Sequence, residues 1–285
     1  MNLSTSLIDA LKQIVQTLQV RHLFPATLLV IGSLFIFNKP FLETFSYSFL
    51  VVFSVVLISF IFTALNGPFI RFLEGYIYED FFLFRWLLAD NQRIHQQRHK
   101  QIKDLEKELI KIDKIKNELE ANDSLTESLN EKISYLESVI KYKKDNIRIE
   151  LNHDYPQEEA RVLPTKLGNV LRAYEDYPTI RYGMDSIDLW IRMLPILEEK
   201  KFLQFISNEK VTFDFLINMC IVFVTLSVAV VISVFLNVHT RIYLFASLFL
   251  LVVSFLCYRA CIFSGRDMGD YFCAAFDLYR NELNK

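Results

Sequence analysis

The sequence predicts an all-α membrane protein, with four transmembrane helices in two hairpins and a cytoplasmic helical insertion, a coiled-coil hairpin, between spans 2 and 3. Three observations predict it. Hydrophobic residues make up 52% of the 285, 26 of them Phe, and the mean hydropathy is +0.25, which is high for a soluble chain. Four apolar runs, Leu23 to Phe37, Phe45 to Leu65, Phe213 to Leu236 and Ile242 to Phe263, fall in two pairs. Between the pairs the composition turns to Lys, Glu, Gln and Asn, with no Pro or Gly from Asp90 to Glu150.

Residues 1–22 read as an amphipathic interfacial helix. Leu3, Leu7, Leu11, Ile14 and Leu18 recur at three- and four-residue steps, with Asp9, Lys12 and Gln16 off that face. Packing of this helix on the soluble region is the alternative. The first apolar run begins late and no small-residue cleavage site follows it, so no cleaved signal peptide is expected.

Residues 23–66 form the first transmembrane hairpin. Runs two, three and four reach the roughly 20 residues that cross about 30 Å of hydrocarbon. The first run is shorter and carries Pro25; it either spans by recruiting its flanks or forms half of a re-entrant hairpin. Residues 67–89 then read as an aromatic elbow, in which Gly67 and Pro68 break the helix and Phe69, Tyr76 and Trp86 stand beside Arg71 and Arg85.

Residues 90–151 read as the coiled-coil hairpin. Ile102, Leu105, Leu109, Ile112 and Leu119 follow a four-three rhythm, and Leu125, Leu129, Ile133, Leu136 and Ile140 repeat it. Between the two sets, Ser124 with Glu127 makes a capping-box pattern that starts a second helix. One continuous coiled coil is the alternative. His95 and His99 stand one turn apart, but nothing around them resembles a metal motif, so a solvated helix face is the expectation.

Residues 152–210 form a membrane-proximal polar block, residues 211–264 the second transmembrane hairpin, and residues 265–285 a C-terminal helix. Basic residues near the spans, Arg21, Arg71, Arg85, Lys200, Lys201, Lys210, Arg259 and Arg266, outnumber Lys39 and Arg241 in the short loops. Both termini and the long middle are therefore expected on the cytoplasmic side. Inside the spans there are Ser, Thr and Asn218 but no ionisable residue near a midplane, which argues against ion-coupled transport. The hydroxyls suit helix packing better than a pore lining. Cys220, Cys257, Cys261 and Cys273 form no C-x-x-C pair and read as small buried hydrophobes.

The polar block concentrates charge from Pro164 to Pro195. Two short helices, with Pro178 and Gly183 marking the bend between them, are expected to bring Arg172, Glu175, Asp176, Arg181, Asp185 and Asp188 together. The cluster reads first as a charged network that fixes the fold. Its alternative is a ligand site with Arg172 and Arg181 as anion-binding forks. Paired carboxylates such as Glu175 and Asp185 lack a nucleophile, phosphate loop or metal spacing to support hydrolysis.

Pro164, Thr165, Leu167, Gly168, Asn169, Leu171, Arg172, Ala173, Glu175, Tyr177 and Pro178, then Arg181, Tyr182, Gly183 and Asp185, then Leu189, Trp190 and Arg192 resemble a block recurring in a family of uncharacterised bacterial multi-pass inner-membrane proteins. Segments 68–76 (PFIRFLEGY) and 274–280 (AAFDLYR) echo it; Ile191 stands where that family often has a proline. The resemblance implies a bacterial inner (cytoplasmic) membrane and lends no activity.

A net charge of −2 with interleaved signs excludes a nucleic-acid-binding field. No cofactor or metal is expected. The leading expectation is a non-enzymatic, self-associating membrane protein acting as a gated channel, pore or membrane-perturbing effector, with a cytoplasmic sensing region. Its partners are membrane lipid and further copies of itself. The alternative is a membrane-anchored scaffold whose hairpin recruits a cytoplasmic protein; a membrane enzyme comes third.

Overall fold

The computed structural model describes residues 20–37, 45–76, 82–122, 126–236 and 242–283. Among them it forms eight α-helices: α1 (Val20–Ile36), α2 (Phe45–Glu74), α3 (Phe82–Ala121), α4 (Glu127–Asp154), α5 (Lys166–Tyr182), α6 (Ser186–Glu199), α7 (Leu203–Phe235) and α8 (Tyr243–Tyr279). Residues 1–19 of the expected N-terminal interfacial helix (1–22) and the loop residues Lys39, Glu43 and Arg241 lie outside the described residues, while residues 20–22 belong to α1. The chain divides into two compact units, Met1–Leu73 with Trp190–Lys285, and Glu74–Leu189.

The first unit carries the membrane segments. Three helices, α2, α7 and α8, are long and apolar enough to cross a bilayer, which marks the chain as a multi-pass membrane protein. Rows of exposed Phe, Leu and Val, such as Phe49, Phe53 and Phe60 on α2 and Phe245, Phe249 and Phe255 on α8, supply a lipid-compatible surface. Helix α1 has 17 residues, about 25 Å at 1.5 Å per residue, short of the hydrocarbon thickness. It lies along α7, where a Cβ on Gly32 would sit 2.9 Å from Leu226 Cδ2. Ala26, Phe62, Val222, Leu226 and Val230 form the core shared by α1, α2 and α7.

Hydroxyls close the α7–α8 contact. Ser227 and Ser247 meet Oγ to Oγ at 2.8 Å, and Ser254 donates to the Cys220 carbonyl at 3.0 Å. Small polar residues let two helices approach closely in lipid. Outside that contact, Thr63 and Thr225 bond carbonyls of their own helices. The preference for packing over a pore lining fits this placement.

Two expected boundaries differ. The break at Gly67–Pro68 is absent: α2 runs through both residues and stops at Gly75, whose φ of +93° is the left-handed conformation that ends a helix. Proline removes one helical hydrogen bond, a loss that a long apolar helix can survive. The separate C-terminal helix is the unbroken continuation of α8, because no Pro interrupts Ile242 to Tyr279.

The second unit is built on α3 and α4, packed antiparallel. Arg148 reaches Glu106 at 2.7 Å and Arg98 reaches Glu150 at 3.5 Å, so rising numbers on one helix face falling numbers on the other. This is the hairpin form of the coiled-coil expectation. Its core is Ile102, Ile147, Leu151, Tyr155 and Val162. Helix α4 starts at Glu127 behind Thr126; Ser124 of the expected capping box lies outside the described residues. Leu136, expected inside, is exposed.

At the base, Tyr155 Oη donates to Asn91 Oδ1 at 3.1 Å while Asn91 Nδ2 donates to the Pro164 carbonyl at 2.9 Å. This chain of bonds ties the hairpin to the start of the polar block.

Candidate functional site

The polar block grows from Thr165. In extended conformation ahead of α5, its Oγ1 accepts from Gly168 N at 3.0 Å, which caps the helix. The same hydroxyl donates to the Glu74 carbonyl at 2.9 Å. Gly168 is required by proximity: a Cβ there would collide with the Glu74 carbonyl oxygen and lie 3.0 Å from its carbon. Backbone atoms cannot turn aside as a side chain can. Asn169, fully buried, accepts from Leu163 N at 2.6 Å and donates to Leu163 O at 2.9 Å. Leu167 and Val170 fill the core beneath. The segment from Pro164 to Asn169 is thus fitted to the Glu74 carbonyl.

The charged half follows. Arg172 lies over the Tyr76 ring at 5.8 Å, a cation–π contact, and reaches Glu175 at 3.4 Å. Asp176, buried, is held at 2.6 Å by Arg161, which the sequence reading did not single out. Burial raises the Asp176 pKa above the usual carboxylate value, opposed by Arg161 and Arg172. Burial likewise raises the Tyr76 phenol against the pull of Arg172.

Arg172, Glu175 and Asp176 therefore gather around Tyr76 and Arg161, whereas Arg181, Asp185 and Asp188 mark the turn after α5. Arg181 lies over the rings of Tyr177 and Tyr182 at 5.6 and 5.9 Å. Gly183, at φ +64°, caps α5, with its N–H to Thr179 O and Met184 N to Pro178 O. Pro178 sits inside α5, so Gly183 alone makes the expected bend. Asp185 Oδ1 accepts from Ile187 N at 2.9 Å and Asp188 N at 3.2 Å. Asp188 stands exposed in the first turn of α6, the favourable end for a carboxylate.

Two guanidiniums, Arg161 and Arg172, face two carboxylates, Glu175 and Asp176. The cluster is balanced in charge and does not call for an anion.

His95 departs from expectation. It is buried, with Nε2 3.0 Å from the Pro156 carbonyl and 3.2 Å from His99 Nε2, because Pro156 and Tyr155 fold back over that face of α3. Since a carbonyl can only accept, His95 donates to it from Nε2. Among the described residues no group of three or more His, Cys, Asp or Glu is placed to hold a metal.

A second polar cluster, in the membrane unit, escaped the sequence reading. Asp214 of α7, 1% exposed, accepts from Arg21 at 2.5 Å, Asn66 at 2.9 Å and Lys210 at 3.2 Å. One turn on, Asn218 Nδ2 stands 2.9 Å from His22 Nδ1 and donates to the Arg21 carbonyl at 3.1 Å. That carbonyl needs a donor from outside α1, since the residue four positions on is Pro25, which has no N–H. Asp214 was passed over because it opens the third apolar run, where a carboxylate reads as flanking polarity.

Fold and site together define a multi-pass membrane protein with an all-helical insertion and two polar clusters built on internal ion pairs. No family model, curated protein or solved structure matches the chain.

Proposed function

We propose that the protein is a non-enzymatic, self-associating membrane scaffold whose spans anchor the α3–α4 hairpin as its working part on the cytoplasmic side. One observation carries this reading. The hairpin exposes large apolar side chains beyond its own core, Tyr135, Leu136, Val139, Tyr142 and Ile149 on α4 and Ile110 and Ile115 on α3, the mark of an interaction surface. The polar block lends no support to catalysis: Asp176 is bridged to Arg161, Glu175 to Arg172, and Asp185 to backbone N–H groups. Closure of Ser227, Ser247 and Ser254 against neighbouring helices supports anchoring spans more than a hydroxyl-lined channel.

In this reading α1 completes a four-span topology with both termini cytoplasmic, and the resemblance of the Pro164–Pro195 block supports a bacterial inner membrane. The deciding experiment is the native mass of the full-length protein in lipid nanodiscs. A dimer or larger assembly is expected; a monomer at all accessible concentrations overturns the proposal.

A further inference from the structure

We infer that an exposed stripe of α4 is a parallel coiled-coil seam that takes the α4 of a second copy; this rests on the self-association proposed above and assigns its surface. Tyr135, Val139, Tyr142, Asn146 and Ile149 follow four-three-four-three spacing, the step that keeps a stripe facing one partner helix. At 100° per residue Tyr135 and Ile149 lie roughly opposite Ile133, Ile147 and Leu151, the buried face of α4, while Val139, Tyr142 and Asn146 also line the groove beside α3. Tyr135 and Tyr142 are 69% and 70% exposed and Ile149 56%. The seam is therefore not the hairpin's own core.

Three features select a second copy over an unrelated partner. First, the spacing places Val139 and Asn146 in the a register and Tyr135, Tyr142 and Ile149 in the d register. A single Asn at an a position meets its own counterpart across a two-fold axis and specifies a parallel, in-register dimer. Second, the adjoining groove between α3 and α4, about 650 Å³, is lined by charges of both signs, Arg98 and Lys143 with Asp104, Glu108 and Glu150. A rim of mixed sign is compatible with itself, whereas a rim of one sign would repel a second copy. The one like-charge approach in this register sets Glu150 toward the second copy's Asp145, and Glu150 is already paired with Arg98 at 3.5 Å.

Third, the size fits a tethered interaction. Two tyrosines bury on the order of 150 Å² each or more. With Leu136, Val139 and Ile149, each about half exposed, the seam stays below the roughly 800 Å² per partner of a standard interface. Two heptads are too short to hold free helices together in water, but confinement of both copies to one bilayer raises their effective concentration toward the millimolar range. The seam is built to work only on the anchored protein.

The test uses the full-length chain in nanodiscs loaded with two copies and a short bismaleimide cross-linker. Tyr142→Cys is expected to give covalent dimer at least tenfold above both the wild type, whose four cysteines lie outside the hairpin, and Lys111→Cys on the outer side of α3. Adding Tyr135→Glu to Tyr142→Cys should lower that yield tenfold or more. Asn146→Val, which removes the polar layer, should relax the register, so that Tyr142→Cys also cross-links to Val139→Cys. All are exposed positions, and unchanged helical circular dichroism confirms folding. Equal cross-linking at Tyr142→Cys and Lys111→Cys, or none at either while native mass still reports an oligomer, overturns the seam and leaves self-association standing elsewhere. A monomeric native mass overturns both.

Discussion

Single side chains in this protein act mostly by completing a neighbour's backbone. Gly168 lets α5 rest against the Glu74 carbonyl, and Gly168→Ala forces backbone apart from backbone. A loss of about 2–3 kcal/mol is expected, read as a lowered unfolding midpoint in detergent; an unchanged midpoint would mean the contact is loose. Pro25 and Asn218 form a second such pair, the proline freeing the carbonyl that the asparagine caps. Asn218→Leu should cost about 1–2 kcal/mol in the native background and clearly less beside Pro25→Ala, which restores a backbone donor within α1. Equal costs in the two backgrounds would show that Asn218 serves His22 instead. Neither partnership was legible in sequence, since Arg21 and Asn218 stand 197 positions apart and periodicity reports only which face is apolar.

At the scale of elements, the hairpin and the long spans were legible because both obey helical periods over many turns. The four-three rhythm marked Ile102 and Ile133 correctly as core, but stopped short of Ile147, Leu151 and Tyr155. There the facing surface is the Val162 segment as well as α3. Leu136 satisfied the same rhythm yet stands outside, on the edge of the second stripe. Rhythm alone cannot rank two apolar stripes on one helix.

Burial at the hairpin base has a pH signature. Burial, and His99 beside it, hold the His95 pKa below 6.5. The unfolded chain therefore takes up the proton first, so this contribution is complete above about pH 6.5 and declines as pH falls from there toward the folded value. The unfolding midpoint should be lower at pH 5.5 than at 7.5, and His95→Gln should shrink that difference; a wild-type midpoint insensitive to pH in this window would refute it. Asp176 has the opposite sign. Its folded pKa is raised by burial, so its contribution is full below about 3.8 and is lost as pH rises through the folded value. Asp176→Asn should therefore cost less at neutral pH than the several kcal/mol of breaking a fully buried pair, because Arg161 is 38% exposed, as measured by the same unfolding assay.

For the molecule as a whole, α1 decides how many times the chain crosses the bilayer. At 17 residues it is short for a span, yet Arg21, His22 and Ala26 are committed to α7 and its neighbours. If α1 crosses the bilayer, Asn38→Cys should react with a membrane-impermeant maleimide added outside intact cells; if it turns back as a re-entrant segment, the label should stay off until the cells are opened.

The clasp on Asp214 also has a consequence for synthesis. Its partners Arg21 and Asn66 are made first, and Asp214 follows Arg21 by 193 residues, with the whole Glu74–Leu189 unit between them. At roughly 5–20 residues per second, Arg21 waits on the order of 10–40 s for its counter-charge. During that interval the nascent protein carries an uncompensated guanidinium at the edge of the bilayer. Chains truncated before α7 would keep that charge unmet, so it is synthesis of α7 that supplies the counter-charge.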